Sequence, residues 1–142
     1  MKRVKDVMST DIAALTPQDN VFEAAVIMKE RNVGVVPVCE GDTLLGVVTD
    51  RDLVIRGLAE KRPGSFAITN VMSKDVESVN SDIDVQQAAE LMSDKQIRRL
   101  PVIDNNRLVG MLSLGDIALE EQSNEAAEHA LSEISEPPHL TH

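Results

Sequence analysis

The stretch Gly46-Val47-Val48-Thr49-Asp50-Arg51-Asp52 returns 64 residues later as Gly110-Met111-Leu112-Ser113-Leu114-Gly115-Asp116. Both septets fit Gly-apolar-apolar-Ser/Thr-x-x-Asp. The same offset links Val7-Met8-Ser9 to Val71-Met72-Ser73, Pro37-Val38 to Pro101-Val102, and Leu44 to Leu108. Laying 7–53 over 71–117 needs no gap and gives 13 identities in 47 pairs, against about three for ordinary composition. Self-similarity of this extent marks a duplicated structural unit, and a single copy is too small to bury both faces of its sheet.

Around the septets each half carries the same pattern. A short strand, Asp11 to Leu15, leads through Pro17 to a helix from Val21 to Arg31, where Val21, Ala24, Ala25 and Met28 recur at helical spacing. Asn20 with Glu23, and Asp84 with Gln87, have the spacing of a capping box. Two β-rich runs follow, Val33 to Glu40 and Leu44 to Thr49, joined at Gly41-Asp42; their partners are Ile97 to Asp104 and Leu108 to Ser113, joined at Asn105-Asn106. A second helix starts near Asp50 and near Gly115. The expected fold is α+β, two tandem β-α-β-β-α motifs packed about a pseudo-twofold axis. The first motif takes 1–60, a flexible linker 61–70, the second motif 71–119, and an acidic C-terminal helix and tail 120–142.

Composition removes several function classes. With 14 Lys plus Arg against 24 Asp plus Glu, the net charge of −10 repels phosphate backbones and anionic membranes. Phe22 and Phe66 are the only aromatic residues, so stacking platforms for single-stranded nucleic acid are missing too. A nucleic-acid partner and a membrane partner are therefore not expected. No long apolar run or secretory signal is seen, and the chain reads as soluble and cytoplasmic. Cys39 is the one cysteine; His129, His139 and His142 lack metal-ligand spacing, so no metal site is expected.

The septets are where chemistry could sit. A glycine lets a ligand approach the backbone, and N–H groups of a helix's first turn can hold an oxyanion. A Ser or Thr hydroxyl adds a phosphate donor, and a carboxylate three residues on can accept both vicinal hydroxyls of a ribose. The competing structural reading is that an Asp at a helix start serves as a cap or dipole partner.

The doubled order of motifs resembles a stand-alone pair of CBS domains, a Bateman module of the small bacterial type, over about residues 5 to 119. That resemblance implies adenine-nucleotide binding in clefts between the motifs and assembly into a flat homodimer. It implies ribose recognition by Asp52 and Asp116, phosphate contacts from Thr49 and Ser113, and base recognition by backbone near Thr16 and Asn80, beside the close backbone approach that the septets themselves suggest at Gly46 and Gly110. It also places basic phosphate-binding residues at Arg98 and Arg99, where the first half has Gly34 and Val35. On that ground the Ser113, Asp116 cleft ranks first.

The expected function is a non-catalytic sensor that binds AMP, ADP or ATP as a regulatory ligand, uses no catalytic cofactor, and signals through conformation or oligomeric state to an unknown effector protein. No nucleophile, phosphate-loop lysine or carboxylate cluster suggests an enzyme. Phe22, Val26 and Ile27 lie off the apolar face of the 21–31 helix and favour a homodimer. The rivals are a ligand-free protein-interaction or stress-response module, and a redox switch through Cys39.

Overall fold

The computed structural model describes residues 2–121. In chain order the elements of the first half are α1 (Val4–Val7), α2 (Val21–Arg31), β1 (Val35–Glu40), β2 (Thr43–Thr49) and α3 (Asp50–Asp52). The last continues as a π-helical turn, Leu53–Gly57, and a 3-10 turn, Leu58–Glu60. The second half repeats the order with α4 (Val85–Lys95), β3 (Arg99–Asp104), β4 (Arg107–Ser113) and α5 over 114–121.

Local chemistry accounts for these boundaries. Glu23 N–H donates to Asn20 Oδ1 (2.9 Å) while Asn20 N–H donates to Glu23 Oε1 (3.2 Å), which satisfies two orphan donors at once. Asp84 and Gln87 repeat the box on α4. Both helices end on a left-handed residue, Asn32 (φ 54°) and Gln96 (φ 55°). Asn105 and Asn106 both have positive φ, the backbone that two-residue hairpin turns require. Each hairpin carries a bulge at the same place, after Val38 and after Val102.

The expected strand from Asp11 to Leu15 shrinks to one parallel bridge, Leu15 with Val38, and its counterpart to Val79 with Val102. Leu15 exchanges bonds with Pro37 and Cys39 (2.8 and 2.7 Å). Thr16 then donates its N–H to Asp19 Oδ2 (2.7 Å) and turns the chain away.

The opening segments cross over. Ser9 pairs with Met111 of the second hairpin, and Ser73 pairs with Val47 of the first. Accordingly Val4 lies in a core with Ala88, Met92, Leu100, Val102 and Leu112, whereas its repeat partner Ile68 lies with Ala24, Val36, Val38, Val48 and Met72. Each core is completed by residues from the other side of the duplication, which binds the two units into one body.

On α2 the buried stripe is centred on Ala24, with Val21, Ile27 and Met28 beside it, while Ala25 faces solvent. Ile27 thus belongs to the core, and of the three residues expected at an association surface Phe22 is the exposed one, at 63%. The 61–70 segment, expected to be flexible, is tied down. Val21 N–H donates to Phe66 O and Phe22 N–H to Gly64 O (both 2.9 Å), Ile68 N–H donates to Asp19 O (3.0 Å), and Arg62 stacks over the Phe66 ring at 4.9 Å. Free donors of the first turn of α2 recruit this segment. The acidic helix expected around Ala127 to Ile134, and the three histidines, lie outside the described residues. No described helix is long and apolar enough to cross a membrane.

Candidate functional site

At each strand-to-helix junction the septet folds into a capping box. Asp52 N–H donates to Thr49 Oγ1 and Thr49 N–H to Asp52 Oδ2, both at 3.0 Å. Asp116 and Ser113 repeat this at 3.0 and 3.2 Å. The hydroxyl-x-x-carboxylate spacing is therefore first a helix start, by the same rule that identified Asn20 with Glu23. Each hydroxyl keeps its proton and each carboxylate its second oxygen for a ligand.

The first-turn N–H groups are largely consumed. Asp50 N–H donates to Gly34 O (3.0 Å), Arg51 N–H to Asp50 Oδ1 (2.8 Å), and Leu114 N–H to Arg98 O (2.9 Å). Gly115 N–H has no partner among the described residues.

Gly46 and Gly110 do not open onto a ligand. A Cβ on Gly46 would stand 2.5 Å from Ser73 O, and one on Gly110 2.5 Å from Met8 Sδ. These glycines admit the crossing Val-Met-Ser segments. The space opposite them holds protein, so they leave the set of ligand contacts.

Two clefts run between the units, related by the 64-residue offset. The larger encloses about 930 Å³ and the smaller about 200 Å³. In the large cleft Ser73, Asp75, Val76 and Glu77 form one wall, Gly34, Val35, Val47, Thr49 and Asp50 another, and Arg98, Arg99, Ser113 and Gly115 a third. The small cleft matches it with Ser9, Asp11, Ile12 and Ala13, then Arg31, Val33 and Val35, then Arg99, Met111 and Asp116.

This division regroups the residues picked out by sequence. Arg98, Arg99, Thr49 and Ser113 come together on the large cleft. Asp116 faces the small one with Arg99. Asp52 lines neither cleft; Ser73, which lines the large one, donates its Oγ–H to Asp52 Oδ2 at 3.4 Å. The arginines thus share the large cleft with Ser113, as expected, but Asp116 is parted from Arg98, and Thr49 of the other junction joins them instead. Thr16 and Asn80 line neither cleft, and their polar groups close local turns with Asp19 and Asp82. The segments that do border the clefts are 11–13 and 75–77, three to five residues nearer the Val-Met-Ser openings. The recurrence of Asp11 as Asp75 was the available signal.

Neither Arg98 nor Arg99 has an ion pair or side-chain hydrogen bond among the described residues. In contrast Glu77 is paired with Lys95 (3.5 Å) and Arg31 with Asp11 (3.5 Å). Burial, reinforced by the charge of Asp42, pushes the Cys39 thiol above its ordinary range, which opposes thiolate chemistry there. The Ser81 backbone N–H, followed by its hydroxyl, holds Asp104 below the usual carboxylate range. Among the described residues no three acidic, His or Cys side chains gather as a metal-binding group.

The CBS domain family model matches residues 4–58 and 68–122. The chain belongs to the CBS-domain family. Its two CBS motifs are those of a regulatory CBS pair, and its relatives include whole proteins of the same size. It is 50% identical over 138 residues to the uncharacterized protein YlbB of Bacillus subtilis, covering 96% of this chain and 93% of that protein. It is 44% identical over 135 residues to the CBS domain-containing protein YhcV of the same organism, covering 95% and 96%. Among solved structures, CBSX2 in complex with AMP superposes with a TM-score of 0.78 at 26% identity over 88% of this chain and 99% of that one. The CBS pair of MJ0100 with 5'-methylthioadenosine and S-adenosyl-L-methionine gives 0.76 at 27% identity over 87% and 98%.

Proposed function

We propose that this CBS pair is a non-catalytic sensor that binds an adenine nucleotide of the AMP, ADP or ATP class in its large cleft. The observation that carries the reading is the meeting of two guanidinium groups without an ion pair among the described residues, Arg98 and Arg99, with Thr49 and Ser113 on one cleft of about 930 Å³. That volume is within the ~300–1,000 Å³ of small-molecule sites, and guanidinium forks match phosphate oxygens. In this reading Asp52, hydrogen-bonded to the cleft-lining Ser73, would accept ribose hydroxyls. The adenosine compounds bound by CBSX2 and MJ0100 support this ligand class.

Occupancy would pull on Arg98 and Arg99 from one unit and on Thr49 from the other, so binding shifts the packing of the two motifs. The output passes to an effector protein or to the oligomeric state. Exposed Phe22, Val54, Ile55 and Leu58 support a homodimer, and a cytoplasmic setting fits a nucleotide signal. Equilibrium titration with AMP, ADP and ATP tests the reading. Saturable binding that weakens about tenfold or more in Arg98→Gln is expected, since a charge-assisted hydrogen bond contributes about 1.5–3 kcal/mol. No binding at millimolar ligand would overturn it in favour of a ligand-free interaction module.

A further inference from the structure

Two residues border both clefts, Val35 and Arg99. They occupy equivalent positions of the two motifs, so the pseudo-twofold axis relates one to the other, and only one of them carries charge. Arg99 is half-buried, starts β3, and is paired in register with Ser113. That hydroxyl lines the large cleft, while its capping partner Asp116 lines the small one. The wall between the clefts is thus built around a single guanidinium.

The small cleft has no second guanidinium outside an ion pair among the described residues, whereas the large one also has Arg98. Its other guanidinium, Arg31, is bound to Asp11 by an ion pair of 3.5 Å and donates Nη1–H to Asp11 O at 3.1 Å. Of its charged lining residues, Asp11 and Arg31 neutralise one another, leaving Asp116 against Arg99. When Arg99 turns away, the small cleft is left with an unbalanced carboxylate that disfavours a phosphate. The large cleft, lined also by Asp50, Asp75 and the Lys95-paired Glu77, retains Arg98 to hold a phosphate.

We propose that Arg99 serves one bound anion at a time, so that a phosphate-bearing ligand in the large cleft makes the small cleft selective for uncharged nucleosides. This rests on the large cleft taking a nucleotide. It adds that the two sites are antagonistic for anions and independent for neutral ligands. Antagonism of this kind is a coupling free energy and must be reciprocal.

Calorimetric titration of the intact chain with AMP and with adenosine tests it, using the wild type, Arg99→Gln and Val35→Arg. In the wild type the second AMP is expected to bind at least tenfold more weakly than the first, relative to the corresponding ratio for adenosine. Val35→Arg supplies the missing guanidinium and should tighten the second AMP about tenfold with adenosine unchanged. Arg99→Gln should weaken the first AMP about tenfold and leave the second within twofold. Equal AMP affinities in the wild type, an unchanged second site in folded Val35→Arg, or equal weakening of both sites in Arg99→Gln would each overturn the proposal. Should Val35→Arg not fold, Arg99→Gln alone still decides it. Failure of the wild type to bind AMP or adenosine at all would remove the nucleotide reading itself, and this inference with it.

Discussion

Gly46→Ala tests the crossing of the Val-Met-Ser segments. The added methyl would stand 2.5 Å from Ser73 O, 3.2 Å from Met72 Sδ and 3.3 Å from the Ser73 carbonyl carbon. The obstacle is backbone, and backbone held in place: Val47 N–H donates to Ser73 O at 3.0 Å and Ser73 N–H to Val47 O at 2.8 Å. Relief requires 71–73 to move away from β2. Overpacking of this kind costs about 1–3 kcal/mol, and straining two backbone bonds adds about 1 kcal/mol each. Restricting the unfolded chain returns about 0.4–1 kcal/mol. The expected net loss is about 2–5 kcal/mol.

Gly110→Ala is the internal control. Its nearest neighbours are Met8 Sδ at 2.5 Å and Cγ at 2.9 Å, with Ser9 O at 3.0 Å. A half-exposed thioether chain can rotate aside, so about 1–2 kcal/mol is expected. Urea unfolding followed by far-ultraviolet circular dichroism is the assay, since the chain has no Trp or Tyr. Gly46→Ala within about 0.5 kcal/mol of the wild type, the scatter of ordinary surface changes, would refute the crossed packing. So would a larger loss in Gly110→Ala than in Gly46→Ala.

Three further outcomes are expected. Thr49→Ala removes the acceptor for Asp52 N–H and should destabilise the fold by about 1 kcal/mol in the absence of any ligand; no loss in denaturant midpoint would contradict the capping role. Asp104 has a native-state pKa depressed below its ordinary value of 3.8, so its stabilising effect is complete above that value and is lost as pH falls through the lower native one. The stability gap between wild type and Asp104→Asn should therefore be constant from neutral pH to about pH 5 and narrow below about pH 4, read from denaturant midpoints across pH; a gap that widens on acidification would reverse the sign. Phe22→Asp, at a position 63% exposed, should leave the fold intact and lower the apparent mass toward a monomer in light scattering, and an unchanged mass would remove α2 from the association surface.

What could be read from the linear chain was local. The spans of α2 and the two hairpins follow from apolar spacing, Asn20 with Glu23, and the Gly41 and Asn105-Asn106 turns, all set by neighbours within a few residues. The duplication was equally plain, since it needs only comparison of the chain with itself. The capping role of Thr49 with Asp52 was legible by the same spacing, although a ligand role for those side chains competed with it.

Where the copies meet was another matter. Val7-Met8-Ser9 and Val71-Met72-Ser73 are the same motif, and each could dock on either β2 or β4 with the same local chemistry. Only the tertiary structure chose the crossed pairing, and with it sent Arg98 to the cleft beside Thr49, put Arg99 between two clefts, and filled the space opposite Gly46 and Gly110 with protein. The choice is made by contacts between residues far apart in the chain, among near-identical partners, and no short-range preference distinguishes one pairing from the other.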